Sequence, residues 1–102
     1  MRRGEVWWSE HPTAGRRPVL ILTRDEEIGR LSEVLIVPAT RTVRDIPTQV
    51  HVDESDGMPW PCALTLDTTG PLANGLFVEC IATLGPERMS EVCRALAHAT
   101  SC

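Results

Sequence analysis

The chain has no lysine and no tyrosine, and only one phenylalanine; all ten of its basic residues are arginine. Every side-chain cation is therefore a planar guanidinium, suited to forking onto phosphate or carboxylate. No stretch approaches the ~18 consecutive apolar residues of a membrane span. The opening MRRGEVWW carries charge but no apolar signal region and no small-residue cleavage site. Together these features place the expected location in the cytoplasm. No C-x-x-C occurs, and no histidine pair has zinc spacing, so no metal site is expected. The four cysteines, at 62, 80, 93 and 102, are expected to be reduced and mostly buried, as befits an intracellular chain. Internal repeats, linkers and low-complexity segments are absent.

The net charge of −4 argues against a protein that coats nucleic acid without specificity. It conceals an asymmetry. Residues 1–51 hold eight arginines against seven acids, and residues 52–102 hold two against seven. Nearly all groups able to grip a phosphate thus lie in the first half, which leaves room for a small arginine-lined groove.

A length of 102 residues predicts one domain, 1–102, with a thin core that dimerisation would supplement. GEVWWS (4–9) reads as a strand, and EHPTAGRR (10–17) as a loop punctuated by Pro and Gly. PVLILT (18–23) and VLIVPAT (34–40) are apolar runs of buried-strand length. RDEEIGRLSE (24–33) reads as a charged loop. TQVHVD (48–53) alternates with period two. CALTLD (62–67) is a strand, TTGPLANG (68–75) a loop or short helical turn, and Val78 to Leu84 a last strand. Gly85 and Pro86 then open a helix, on which Met89, Val92, Cys93, Leu96 and Ala97 form an apolar stripe. Five or six short antiparallel strands and a terminal helix predict a small, strongly curved sheet.

The residues with chemical promise cluster around two of these strands. Arg16 and Arg17 stand immediately before Pro18. By pattern alone they are a solvated loop, or cations held on a rigid mount to meet an anion. Thr40 is an ordinary strand-end threonine by the same standard, and Arg41 and Arg44 are equally a solvated loop or phosphate contacts. Trp7 and Trp8 point to opposite faces of their strand, and Trp60, between two prolines, is a candidate to line a groove.

Three segments together resemble the MazF family of toxins from bacterial toxin–antitoxin pairs. RRGEVWW (2–8) is similar to the family's opening R-G-(D/E)-(I/V)-W. GRRPVLILT (15–23) is similar to its (K/H/R)-R-P strand, and VLIVPAT (34–40) to the strand ending V-P-x-T. Weaker matches are ALTLD (63–67) and IATLGPERMSEVCRAL (81–96). The resemblance implies an SH3-like barrel of about five to six strands with a C-terminal helix, forming a homodimer. It implies an endoribonuclease that cuts single-stranded RNA without metal or other cofactor. In the family the ribose 2′-hydroxyl attacks the adjacent phosphate and leaves 2′,3′-cyclic phosphate and 5′-hydroxyl ends. The implied catalytic residues are Arg17, Thr40 and Asp67; Arg16, His11, Arg41 and Arg44 are expected to contact RNA. A MazE-like antitoxin is the implied partner, its extended segment occupying the RNA groove.

Arginine does not readily give up its proton, so Arg17 is expected to act as clamp or donor rather than base. The base is left open between Asp67, His11, the RNA and solvent. The segment 75–84 departs from the family in having no basic residue, and Thr65 stands where some relatives have arginine. Two other readings stay open: a gyrase-poisoning toxin of the same fold, and an inactive relative that only binds its antitoxin.

Overall fold

β1 (Glu5–His11) and β2 (Gly15–Ile21) form a tight antiparallel hairpin, in register from Val6 opposite Leu20 to His11 opposite Gly15. The computed structural model describes residues 1–102. Residues 12–14 make the turn. Gly15 sits at φ +77°, the left-handed conformation that a three-residue hairpin loop commonly requires at its end. Because the turn is this short, the strands run further than the Pro and Gly signals suggest. Arg16 and Arg17, expected in a loop, are strand residues.

β3 (Glu33–Thr40) is the hub of the sheet. It pairs with β2 through Val19–Pro38, Leu20–Val37 and Ile21–Ile36. Its start pairs with β6 (Gly70–Ala73), and its end, at Ala39 and Thr40, pairs with β5 (Cys62–Thr65). β4 (Gln49–Val52) flanks β5, and β7 (Phe77–Thr83) flanks β1. The path β4-β5-β3-β2-β1-β7 ends on two unpaired edges, so seven antiparallel strands make a coiled sheet that is not closed. The added strand is β6. Its sequence GPLA starts on two residues that sequence reading treats as turn markers, yet it pairs with residues 33–36 of β3.

The stretches Pro18–Ile21 of β2 and Ile36–Ala39 of β3 are unbroken apolar runs because both of their faces are covered. Leu20 and Val37 belong to the main core with Val6, Leu64, Leu66 and Val92. Val19 and Ile36, one residue along, face the other way into a smaller cluster with Val34 and Leu72. Each such fully buried side chain contributes roughly 1.5–3 kcal/mol. These two strands are therefore the most firmly held part of the molecule.

α1 (Pro86–Thr100) follows Gly85 and carries proline in its first turn. It packs against β4 and the short 3₁₀ turn Leu66–Thr68. Val92 and Ala95 are buried, with Met89, Leu96 and Ala99 beside them. The expected stripe is thus correct at Met89, Val92 and Leu96 and wrong at Cys93 and Ala97, which stay exposed along the open groove beside the helix. Alanine and cysteine are small, so packing rather than hydrophobicity sets which of them turns inward. No helix is long and apolar enough to cross a membrane.

All four cysteines are free thiols, but only Cys62 is buried; Cys80, Cys93 and Cys102 are exposed. The expectation of mostly buried thiols fails because three of them fall on an edge strand, in the open groove beside α1 and at the chain end. Burial pushes the Cys62 thiol above its usual range, and the nearby Arg41 only partly offsets this.

Two glycines differ in what they tolerate. Gly57, at φ +92°, ends the 3₁₀ turn Glu54–Asp56, and a Cβ there would lie 3.0 Å from the Ala82 Cβ. Gly15 has the same backbone handedness but nothing within 4 Å. Gly15→Ala is therefore expected to cost about 1–2 kcal/mol from backbone strain alone. Gly57→Ala is expected to cost more, and chemical denaturation of the two variants side by side measures the difference.

Candidate functional site

The register of β2 against β3 decides the geometry. Continued two residues beyond Val19–Pro38, it sets Arg17 opposite Thr40. Residues opposite one another in an antiparallel pair share a face. The ladder stops short of that point because Pro18 and Pro38 lack N–H groups and β3 turns to pair with β5. A cleft of about 230 Å³ opens there, lined by Arg16, Arg17, Pro18, Thr40, Arg41 and Trp60 among others.

Arg17 is held at its backbone and free at its tip. Ser9, 2% exposed, donates its hydroxyl to the Arg17 carbonyl at 3.0 Å across the hairpin. The guanidinium makes no ion pair or hydrogen bond within the chain. Most other arginines are engaged. Arg16 meets Glu10, Arg24 and Arg30 meet Glu27, Arg88 meets Asp56 and Glu91, and Arg3 donates to the Leu22 carbonyl. Arg17 also borders a second cavity of about 260 Å³, lined by Ser9, His11, Ala14, Thr68 and Gly70 among others. Its charge thus stands between two openings.

Thr40 is half-buried, and its hydroxyl oxygen accepts the Thr42 N–H at 3.1 Å. That bond fixes the oxygen and leaves its hydrogen free to be donated into the cleft.

His11 lines the second cavity. Its Nδ1 accepts the backbone N–H groups of Thr13 and Ala14, each at 3.2 Å. The neutral ring consequently carries its hydrogen on Nε2, as a donor.

Asp67 is placed elsewhere. It lies on the turn after β5 rather than closing the strand, and its Oδ2 accepts the Thr48 hydroxyl at 2.6 Å. It borders an apolar groove of about 620 Å³ beside α1, with Leu35, Leu66, Cys93 and Leu96, and lines neither of the cavities that Arg17 borders.

Arg41 and Trp60 belong to the cleft, and Arg44 does not line it. The loop 41–47 is instead tied to β4. Gln49 accepts the Arg44 N–H at 2.7 Å, and His51 Nε2 lies 2.8 Å from the Arg44 carbonyl. Ser9 and Gln49 carry no sequence signal of their own; strand register alone reveals them.

Comparison with known proteins agrees with this architecture. Residues 2–100 match the family described as PemK-like, MazF-like toxin of type II toxin–antitoxin system. The chain is 39% identical to the probable endoribonuclease MazF5 of Mycobacterium tuberculosis, over 98% of this chain and 93% of that one. It is 36% identical to the probable endoribonuclease MazF2 of the same species, over the whole of both. Among solved structures it is similar to the Mycobacterium tuberculosis toxin MazF-mt6, with a TM-score of 0.88 and 28% identity over 95% of this chain and 96% of that one. A mycobacterial endoribonuclease in complex with its cognate antitoxin gives a TM-score of 0.88 at 26% identity, over 99% and 95%. With the match spanning nearly every residue, the chain belongs to the MazF-like toxins of type II toxin–antitoxin systems.

Proposed function

We propose that this toxin is a sequence-specific, metal-independent endoribonuclease that cuts single-stranded RNA by attack of a ribose 2′-hydroxyl on the adjacent phosphate. The observation that carries the reading is one cleft bordered by both the unpaired Arg17 guanidinium and the Thr40 hydroxyl. A phosphodiester seated there receives two parallel donors from the guanidinium and a third from the hydroxyl. Charge on the non-bridging oxygens grows as phosphorus becomes five-coordinate, so these donors favour the transition state over the bound substrate.

In the reaction the 2′-oxygen–phosphorus bond forms and the phosphorus–5′-oxygen bond breaks. The 2′-hydroxyl loses a proton to solvent, and one is delivered to the departing 5′-oxygen. No carboxylate lines the cleft. His11 serves as a hydrogen-bond donor to the RNA backbone, because its Nδ1 is already committed as an acceptor. Arg16, Arg41 and Arg44 supply further phosphate contacts.

Asp67 holds the turn after β5 through Thr48. Asp67→Asn is accordingly expected to leave the cleavage rate within a few-fold of the parent, which single-turnover cleavage measures. A loss comparable to that of Arg17→Ala would assign Asp67 to the chemistry.

The toxin acts in the cytoplasm as a homodimer, a state that sedimentation checks. Its partner is a MazE-like antitoxin whose carboxylates take the place of phosphate on Arg17, since both anions suit the same fork. One experiment tests the enzymatic reading. Pure protein is incubated with a long single-stranded RNA in excess EDTA, and the cut ends are mapped. Discrete cuts with 5′-hydroxyl and 2′,3′-cyclic phosphate ends are expected. Intact RNA, or cutting only when a divalent metal is restored, would overturn it.

A further inference from the structure

Beside Arg17 and Thr40, the wall of the same cleft is built from a line of contacting arginines and tryptophans. The Arg41 guanidinium lies over the Trp60 ring, 4.4 Å from its centroid. Trp60 in turn meets Trp8 at 5.6 Å between centroids and 62° between planes. Arg16 lies over Trp8 at 4.9 Å and is itself held by Glu10.

We propose that Trp60 is the stacking platform for the unpaired nucleobase next to the scissile phosphate, and that Arg41 holds that place in the free protein. The inference rests on the ribonuclease reading above and adds the subsite that grips a base.

Arg41 is exposed, and the Trp60 ring is the sole partner of its guanidinium. A guanidinium stacked on an indole is a flat, planar group on a π-face, and a nucleobase is the same kind of object with a larger area. Incoming RNA brings a phosphate that attracts Arg41, which lies one residue beyond Thr40, so base and guanidinium exchange places without stranding the charge. The exchange suits single strands, whose bases are free to splay out onto aromatic rings.

The ring is pre-positioned. Asp53 caps the turn Glu54–Asp56 and reciprocates with Asp56. Arg88 on α1 grips Asp56 at 3.0 Å, and Met58 is buried in the main core. Pro59 and Pro61 stiffen the backbone on either side of Trp60. Trp8 supports the ring from β1. A platform fixed in this way loses little freedom when a base settles on it.

The test uses a short oligoribonucleotide carrying a single 2′-deoxy nucleotide at the cut position, so that it binds without being cut. Each base flanking that position is replaced in turn by an abasic residue, and affinity is read by fluorescence anisotropy. For the parent protein one abasic position is expected to weaken binding about 10–100-fold. Trp60→Ala is expected to weaken binding of the intact oligonucleotide comparably and to erase the penalty at that position, whereas Trp60→Phe keeps most of both. Arg41→Gln is expected to keep the base penalty while lowering the salt slope by about 0.7, as for one lost single-strand phosphate contact. Trp60→Leu, which retains apolar bulk without a π-face, serves if Trp60→Ala does not fold.

Binding by the alanine or leucine variant within twofold of the parent, or an abasic penalty that persists in either, overturns the proposal. A protein that cuts RNA without a Trp60-dependent penalty keeps the nuclease reading and loses the platform. One that shows the penalty yet leaves an all-RNA strand intact does the reverse.

Discussion

Arg17→Ala is expected to slow single-turnover RNA cleavage by about 10²–10³-fold, the loss typical of one preorganised donor to a developing oxyanion. Stability should scarcely change, because exposed substitutions usually stay within about 0.5 kcal/mol. The residue is exposed, and its guanidinium contributes no ion pair or hydrogen bond to the fold, so removing it leaves no buried partner stranded. The support runs through the main chain, where Ser9 donates to the Arg17 carbonyl, and alanine keeps that bond. Arg17→Lys should recover only part of the rate, since a point charge replaces a fork. Thr40→Ala should cost less than Arg17→Ala, because it removes one neutral donor, although it also strips the Thr42 N–H of its acceptor. Cleavage by Arg17→Ala at the parent rate, with thermal unfolding unchanged, would remove the guanidinium from the mechanism.

The second large effect concerns the strand that carries Arg17. Leu20 is fully buried near the end of β2, packed into the main core. Leu20→Ala is expected to cost about 2–5 kcal/mol, the sum of lost transfer free energy and the cavity left behind. Against a total stability of roughly 5–15 kcal/mol this is a large fraction. With urea m-values of about 1–3 kcal/mol per M, the midpoint should fall by at least about 0.7 M. Cleavage per folded molecule should be retained, since Leu20 does not line the cleft, so activity should track the folded fraction measured by circular dichroism. A variant that unfolds like the parent would show that the β2 core is less tightly filled than its burial indicates.

How much of this was legible in the sequence depends on which interaction fixes each element. β2 and β3 are readable because burial on both faces demands an unbroken apolar run, and PVLI (18–21) and IVPA (36–39) supply it. The helix is readable from Gly85, Pro86 and the apolar periodicity, but its rotation is not. Ala95 and Ala99 pack where Cys93 and Ala97 were expected, and small side chains carry little preference of their own. β6 is hidden because Gly70 and Pro71 are turn residues by local rule, and pairing with β3 overrides that rule. The opposition of Arg17 and Thr40 depends on the β2–β3 register, a long-range property that no short window contains. The same holds for the separation of Asp67 from the cleft, which follows from β5 ending at Thr65. The engaged Nδ1 of His11 depends on a turn only three residues long.

The covering of β2 and β3 on both faces has a kinetic consequence. Their amides can meet solvent only when both apolar clusters come apart, so Leu20, Ile21 and Val37 should exchange deuterium at the rate of global unfolding. The loop 41–47, held chiefly by Gln49 and His51, should exchange orders of magnitude sooner. Protection acquired when RNA or an antitoxin docks should therefore accumulate in that loop, while the strand beneath Arg17 registers nothing.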